Sequence, residues 1–142
     1  MTYHRKKNIL MGIEEFVSEF RRKLEIVVKS VSHIEFNSFP RGSCFASSVL
    51  LNSYLIKNGY GRFNIVSAKK NNHSHAWLSN NEVFIDITAD QFKDQIEKVI
   101  VVKKDLTYWH ATFDLKEERA IDMYDFFNFN LMEIEKMIND LN

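Results

Sequence analysis

The sequence predicts an α+β fold in which a central cysteine-bearing helix packs on an antiparallel sheet of four to five strands, with helices at both chain ends. Three observations predict it. Apolar residues recur at three- and four-residue steps near the N-terminus. Short β-prone runs separated by asparagine pairs fill the middle. Helical patterning then returns towards the C-terminus.

From Gly12 to about His33, the residues Ile13, Phe16, Val17, Phe20, Leu24, Val27, Val28 and Val31 mark one helical face. Pro40, the sole proline, falls in a loop from Glu35 to Gly42. A second helix is expected from about Cys44 to Asn58, with Ser43 as N-cap and Gly59 as its stop. Arg62 to Ala68 reads as a strand, and Asn71-Asn72 as a turn. His75 to Ser79 and Glu82 to Thr88 read as a hairpin around Asn80-Asn81, because asparagine tolerates the positive φ of a tight turn. Val99 to Lys103 and Thr107 to Phe113 are two further expected strands. Leu115 to Leu141 reads as one or two closing helices. In it Lys116 to Arg119 form a solvated face, and Tyr124, Phe126, Phe127 and Phe129 pack inwards. No repeat, linker or low-complexity segment interrupts residues 1–142, so a single domain is expected.

The 142 residues suffice for one real core, and 45% hydrophobic with 27% charged residues is ordinary for a globular chain. Nineteen basic residues balance 19 acidic ones. That balance gives no electrostatic footprint for nucleic acid or an anionic membrane. No apolar run reaches transmembrane length. Met1 to Lys7 is basic, but the Ile9-Leu10-Met11 run is too short for a secretory signal. A cytoplasmic location is the expectation, with export lacking a cleavable signal as the alternative. A single cysteine rules out an internal disulfide.

That cysteine is Cys44, in the first turn of the second helix. Free backbone N–H groups and the helix dipole there favour a thiolate and are suited to holding an oxyanion. Gly42 lets a substrate approach the backbone. The structural alternative is a buried cysteine at a helix start.

The hairpin adds the second half of a site. If Asn80 and Asn81 form the turn, Leu78 opposes Val83, Ala76 opposes Ile85, and Ser74 opposes Ile87 on a core face. The other face pairs Trp77 with Phe84 and His75 with Asp86. Directly opposed Cβ atoms lie about 4.5–5.5 Å apart. The carboxylate would therefore orient the ring, fix its tautomer and stabilise the imidazolium. Cys44, His75 and Asp86 then supply nucleophile, base and base-orienter. A structural His–Asp pair is the alternative.

Gly42-Ser43-Cys44, His75-Ala76-Trp77 and Asp86-Ile87-Thr88 resemble the three signature blocks of transglutaminase-like domains within the wider papain-like group, in the same order. The likeness covers about Phe39 to Phe92. It implies Cys44 as nucleophile, His75 as general base and Asp86 as orienting acid. It also implies that Gly42, Ser43 and Trp77 bind substrate or shape the site. The Asp86 to Phe92 stretch, with Gln91, is similar to bacterial processing peptidases and papain-fold toxins. Arg41-Gly42-Ser43-Cys44 is similar to arylamine acetyltransferases, which use the same triad. The chain is short beside the large transglutaminases and leaves little room for their substrate-binding domains. A glutamine upstream of the cysteine, the papain-type oxyanion donor, is not evident. Asn37, Ser38 or a backbone N–H is the expected substitute.

Asp90 is the rival to Asp86 as third member. His73 shares a strand face with His75, and His73, His75, Asp86 and Cys44 together are acceptable zinc ligands, although their spacing matches no strong zinc pattern. His110, beside Trp109, reads as a satisfied edge residue. The expectation is thiol-dependent acyl transfer or hydrolysis of an amide in a peptide or protein substrate, as a protease, deamidase, acetyltransferase or transglutaminase. No metal or organic cofactor, nucleic acid or membrane is expected. The alternative from another class is a non-catalytic binding module that keeps the fold.

Overall fold

The computed structural model describes residues 2–141, with side chains described from residue 12 onwards. Four helices and five strands follow in the order α1 (Thr2–Lys29), α2 (Cys44–Lys57), β1 (Asn64–Lys70), β2 (His73–Ser79), β3 (Val83–Asp86), β4 (Ile100–Lys103), β5 (Asp114–Ala120), α3 (Met123–Asn128) and α4 (Met132–Asp140). The sheet order is β4-β3-β2-β1-β5, with every neighbouring pair antiparallel. Among the described residues no helix is long and apolar enough to cross a membrane.

The helices lie where the apolar stripes demand. Ile13, Val17, Phe20, Leu24 and Val27 of α1 are buried in one core with Val49, Leu50, Leu51 and Leu55 of α2. Ala76, Leu78, Val83, Ile85 and Ile87 face the same core, as alternation along the hairpin requires. A second, smaller cluster holds Val66, Ala68, Trp77 and Phe113, with Phe84, Phe92 and Trp109 packed against it. The His75–Trp77 face of β2 belongs to this second cluster, since His75 packs on Trp77, Phe92 and Phe113.

The two asparagine pairs behave differently. Asn71 and Asn72 have φ of 51° and 69° and close the β1–β2 hairpin, in which Lys70 pairs with His73. Both take the left-handed conformation that a two-residue turn of the primed type needs. At the next hairpin the centre moves one residue along. Leu78 pairs with Ile85 and Ser79 with Phe84, where the sequence suggested Leu78 with Val83 and Trp77 with Phe84. The cause is the Asn80 side chain, whose Oδ1 accepts from the N–H of Glu82 and of Val83, each at 2.8 Å. That Asx turn makes Asn81-Glu82 the turn's centre. The slip is an even number of residues, so the faces are preserved.

The last strand is also displaced. Thr107 to Phe113 is not a strand but carries a short 3₁₀ turn at His110–Thr112. The strand is Asp114–Ala120, and all of it but Asp114 falls in the stretch from Leu115 read as helical. It pairs with β1 at the sheet edge, and every one of its residues is exposed. With both faces wet there is no apolar alternation to read, and its Lys and Glu residues favour helix on propensity alone. Of the C-terminal aromatics, Phe126 is buried, whereas Tyr124 and Phe127 are 72% and 54% exposed. The expectation that the whole cluster packs inwards is corrected to that extent.

Candidate active site

Cys44 is the first residue of α2 and is partly exposed. The helix's hydrogen-bond ladder begins at Ser47 N–H to Ser43 O, 2.8 Å. The N–H groups of Cys44, Phe45 and Ala46 precede it and have no carbonyl within the helix to bond. Ser43 occupies the N-cap position but does not cap. Its hydroxyl donates to the carbonyl of Pro40 at 2.9 Å, so it leaves those N–H groups unused. Gly42 has φ of +71°, a conformation costly for residues with a Cβ. A Cβ built there would meet nothing within 4 Å, so backbone conformation rather than close packing calls for glycine.

The even-numbered slip of the hairpin leaves His75 and Asp86 diagonal neighbours on one face. The side chains meet all the same. His75 Nε2 donates to Asp86 Oδ2 at 2.7 Å, and both side chains are fully buried. Asp86 Oδ1 accepts from the N–H of Thr88 at 3.1 Å. Burial alone would drive His75 to shed its proton. The charge and hydrogen bond of Asp86, joined by the hydrogen bond and charge of Cys44, outweigh that and raise His75 from 6.5 to about 9. Burial likewise pushes Asp86 upwards. The charge on His75 and the hydrogen bonds from His110 and His75 overcome it and hold the carboxyl well below the ordinary range. The pair is therefore an ion pair near neutral pH, which full burial tolerates only because the carboxylate has several donors.

With Nε2 committed to Asp86, Nδ1 is the nitrogen left for Cys44. Gln91 also reaches it, with its amide 2.8 Å from His75 Nδ1. The atom facing Nδ1 is the amide Nε2, which can donate only to a neutral ring; a cationic ring carries hydrogen on both nitrogens, so the amide then has to turn and present Oε1. Two adjoining clefts meet at this point and share Ser74. Cys44 and His75 line one, with Phe45, Ala68 and Leu115 as apolar wall. Gln91 lines the other, beside Arg41, Lys70, His73 and Lys93. Leu115 is 75% exposed and sits at φ +52°, where β1 and β5 lose register.

The structure thus brings Cys44, His75 and Asp86 together. Ser43 and Trp77 do not offer side chains to the clefts as expected. Both are fully buried, because Ser43 is tied to Pro40 and Trp77 packs between His75 and His110 with ring centroids 5.7 and 4.6 Å away. They brace the site from behind. Asp90 is not a member either, since its carboxylate takes both terminal nitrogens of Arg21 at 2.8 and 2.9 Å. The four-ligand zinc arrangement does not assemble. His73 points out at the start of β2, and both nitrogens of His75 are engaged by side chains. Among the described residues no group of three His, Cys, Asp or Glu is placed to hold a metal ion. Asn37 and Ser38 are exposed in the loop before α2 and line neither cleft, so the side-chain amide at the site comes from downstream, as Gln91.

Sequence reasoning missed one residue in particular. His110 is fully buried, and its Nε2 lies 2.8 Å from the same Asp86 oxygen that His75 uses. The available signal was chemical, because a buried carboxylate has more acceptor capacity than one imidazole fills.

No protein-family model, curated protein or solved structure matches this chain.

Proposed function

We propose that the protein is a cysteine hydrolase or acyltransferase that acts on an amide through a thioester, with a transglutaminase-like or papain-like arrangement of its catalytic groups. One observation carries this reading: a buried imidazole, held on one nitrogen by Asp86 at 2.7 Å, lines the same cleft as a thiol at a helix N-terminus, whose hydrogen bond and charge help to hold the ring's proton. In the reacting form the Cys44 proton already resides on His75 Nδ1, so a thiolate faces the imidazolium, and the sulfur attacks the substrate's carbonyl carbon. The oxyanion is held by N–H groups at the start of α2 and by the NH₂ of Gln91. When the intermediate collapses, the C–N bond breaks and His75 Nδ1–H protonates the leaving nitrogen. Water or an amine then attacks the thioester and gives one proton to His75 Nδ1, and collapse expels Cys44 as a thiolate beside the restored imidazolium. The cleft at Cys44, joined through Ser74 to a second one, favours a peptide or protein substrate over a small acyl donor.

The test is alkylation of Cys44 by iodoacetamide at pH 7, followed by mass spectrometry. The folded protein should label faster than the urea-unfolded chain, and His75→Ala should abolish the advantage. Labelling in the folded protein that is no faster than in the unfolded chain overturns the reading and leaves a binding module.

A further inference from the structure

We propose that His110 is a positioning residue of this site, which, with its tautomer supported by Thr107, fixes Asp86 as an ionised carboxylate for His75. Asp86 Oδ2 lies between two imidazole nitrogens, His75 Nε2 at 2.7 Å and His110 Nε2 at 2.8 Å. A carboxylate only accepts, so both nitrogens must carry hydrogen. The far side of His110 explains how that is arranged. Thr107 Oγ1 is 3.1 Å from His110 Nδ1, and it also accepts the N–H of His110 at 3.4 Å. A neutral His110 that keeps its hydrogen on Nε2 for Asp86 leaves Nδ1 bare, and the Thr107 hydroxyl, with a lone pair used by that N–H, has its own proton free to fill it. Nδ1 then acts as acceptor, and the ring's own proton resides on Nε2, facing Asp86. The residue that complements this tautomer is thus three positions upstream, within one turn of chain.

The ring has no room to turn away. Trp77, Trp109 and Phe84 surround it at centroid distances of 4.6, 5.0 and 5.5 Å. His110 lines neither cleft, and its polar link to the site is the hydrogen bond to Asp86, beside the packing of Trp77 and Trp109 on both imidazoles. The titratable groups facing Asp86 are His75 from β2 and His110 from the turn after β4, with Cys44 beyond His75. Without His110 the carboxylate keeps one imidazole and one backbone N–H. The cost of ionising it rises accordingly.

The experiment follows the Asp86 carboxyl carbon by NMR during acid titration. It compares the intact chain with His110→Phe, which keeps an aromatic ring but no donor, His110→Gln, whose amide N–H restores one, and Thr107→Val, which leaves His110 in place without its hydroxyl. The midpoint of Asp86 should rise by at least about one pH unit, tenfold in proton affinity, in His110→Phe. It should rise less in Thr107→Val and return towards the parent in His110→Gln. Midpoints in His110→Phe or Thr107→Val equal to the parent's would reduce His110 to a packing residue. If His110→Phe does not fold, an unmoved Thr107→Val midpoint alone overturns the proposal. The measurement reads Asp86 whether or not Cys44 reacts, so failure of the thiol labelling described above is a separate result.

Discussion

At the scale of single residues, the grouping of the candidate site was legible because each motif residue carries its own requirement. A cysteine after Gly-Ser at a helix start, and a histidine and an aspartate of matching parity on a hairpin, suffice to name Cys44, His75 and Asp86. Parity survived the error in register, because a slip of two moves partners along the strand without changing their face. Gln91 and His110 were not legible in the same way. Both come from irregular segments, where no periodicity relates sequence position to direction. Gln91 lies in a 3₁₀ turn after β3, and its place at His75 depends on where that turn is anchored. Its role yields a separable prediction. If the amide's NH₂ serves the oxyanion, Gln91→Ala should slow acylation by p-nitrophenyl acetate by ~10²–10³-fold. Iodoacetamide alkylation, which forms no oxyanion, should stay within about twofold of the parent, since it reads only the thiolate. Equal losses in both rates would mean that Gln91 supports His75 rather than the tetrahedral intermediate.

At the scale of elements, apolar periodicity found α1, α2 and the two central strands because each buries one face. β5 escaped it because an edge strand with both faces exposed has no such requirement. Its charges, Lys116, Glu117, Glu118 and Arg119, suit an edge that must not pair with another sheet. The contact that ties α1 to the site was equally hidden. Arg21 is buried, and its guanidinium donates to the carbonyls of Ile87 and Lys98, to both oxygens of Asp90, and to Glu25. It thereby fastens the segment that follows Asp86 and carries Gln91. Removing it leaves Asp90 and two carbonyls without their donor. Arg21→Leu should therefore lower stability by about 3–5 kcal/mol, the range for breaking a buried pair from one side. Urea unfolding measures that loss. A change below about 1 kcal/mol would show that the segment holds its place by its backbone alone.

At the scale of the whole molecule, two cores share one sheet. One is apolar and joins the helices, while the other encloses the ion pair. Placing charge in the second core links folding to pH, and the sign can be worked out for each member. His75 is raised from 6.5 to about 9, so its contribution is complete below about pH 6.5 and is lost as pH rises through about 9. Asp86 is depressed from 3.8, so its contribution is complete above that value and disappears only as pH falls through its much lower folded value. Both belong to one pair and count once. Stability should therefore be greatest between about pH 4 and 6.5 and decline from about 7 to 9. Urea midpoints across that range test this against Asp86→Asn. The substitution removes the charge that raises His75, so the variant should be less stable at pH 6 and show a much flatter decline on the alkaline side. An Asp86→Asn profile parallel to the parent's would place the pH dependence in other groups, and the buried pair would then be no determinant of when this fold holds together.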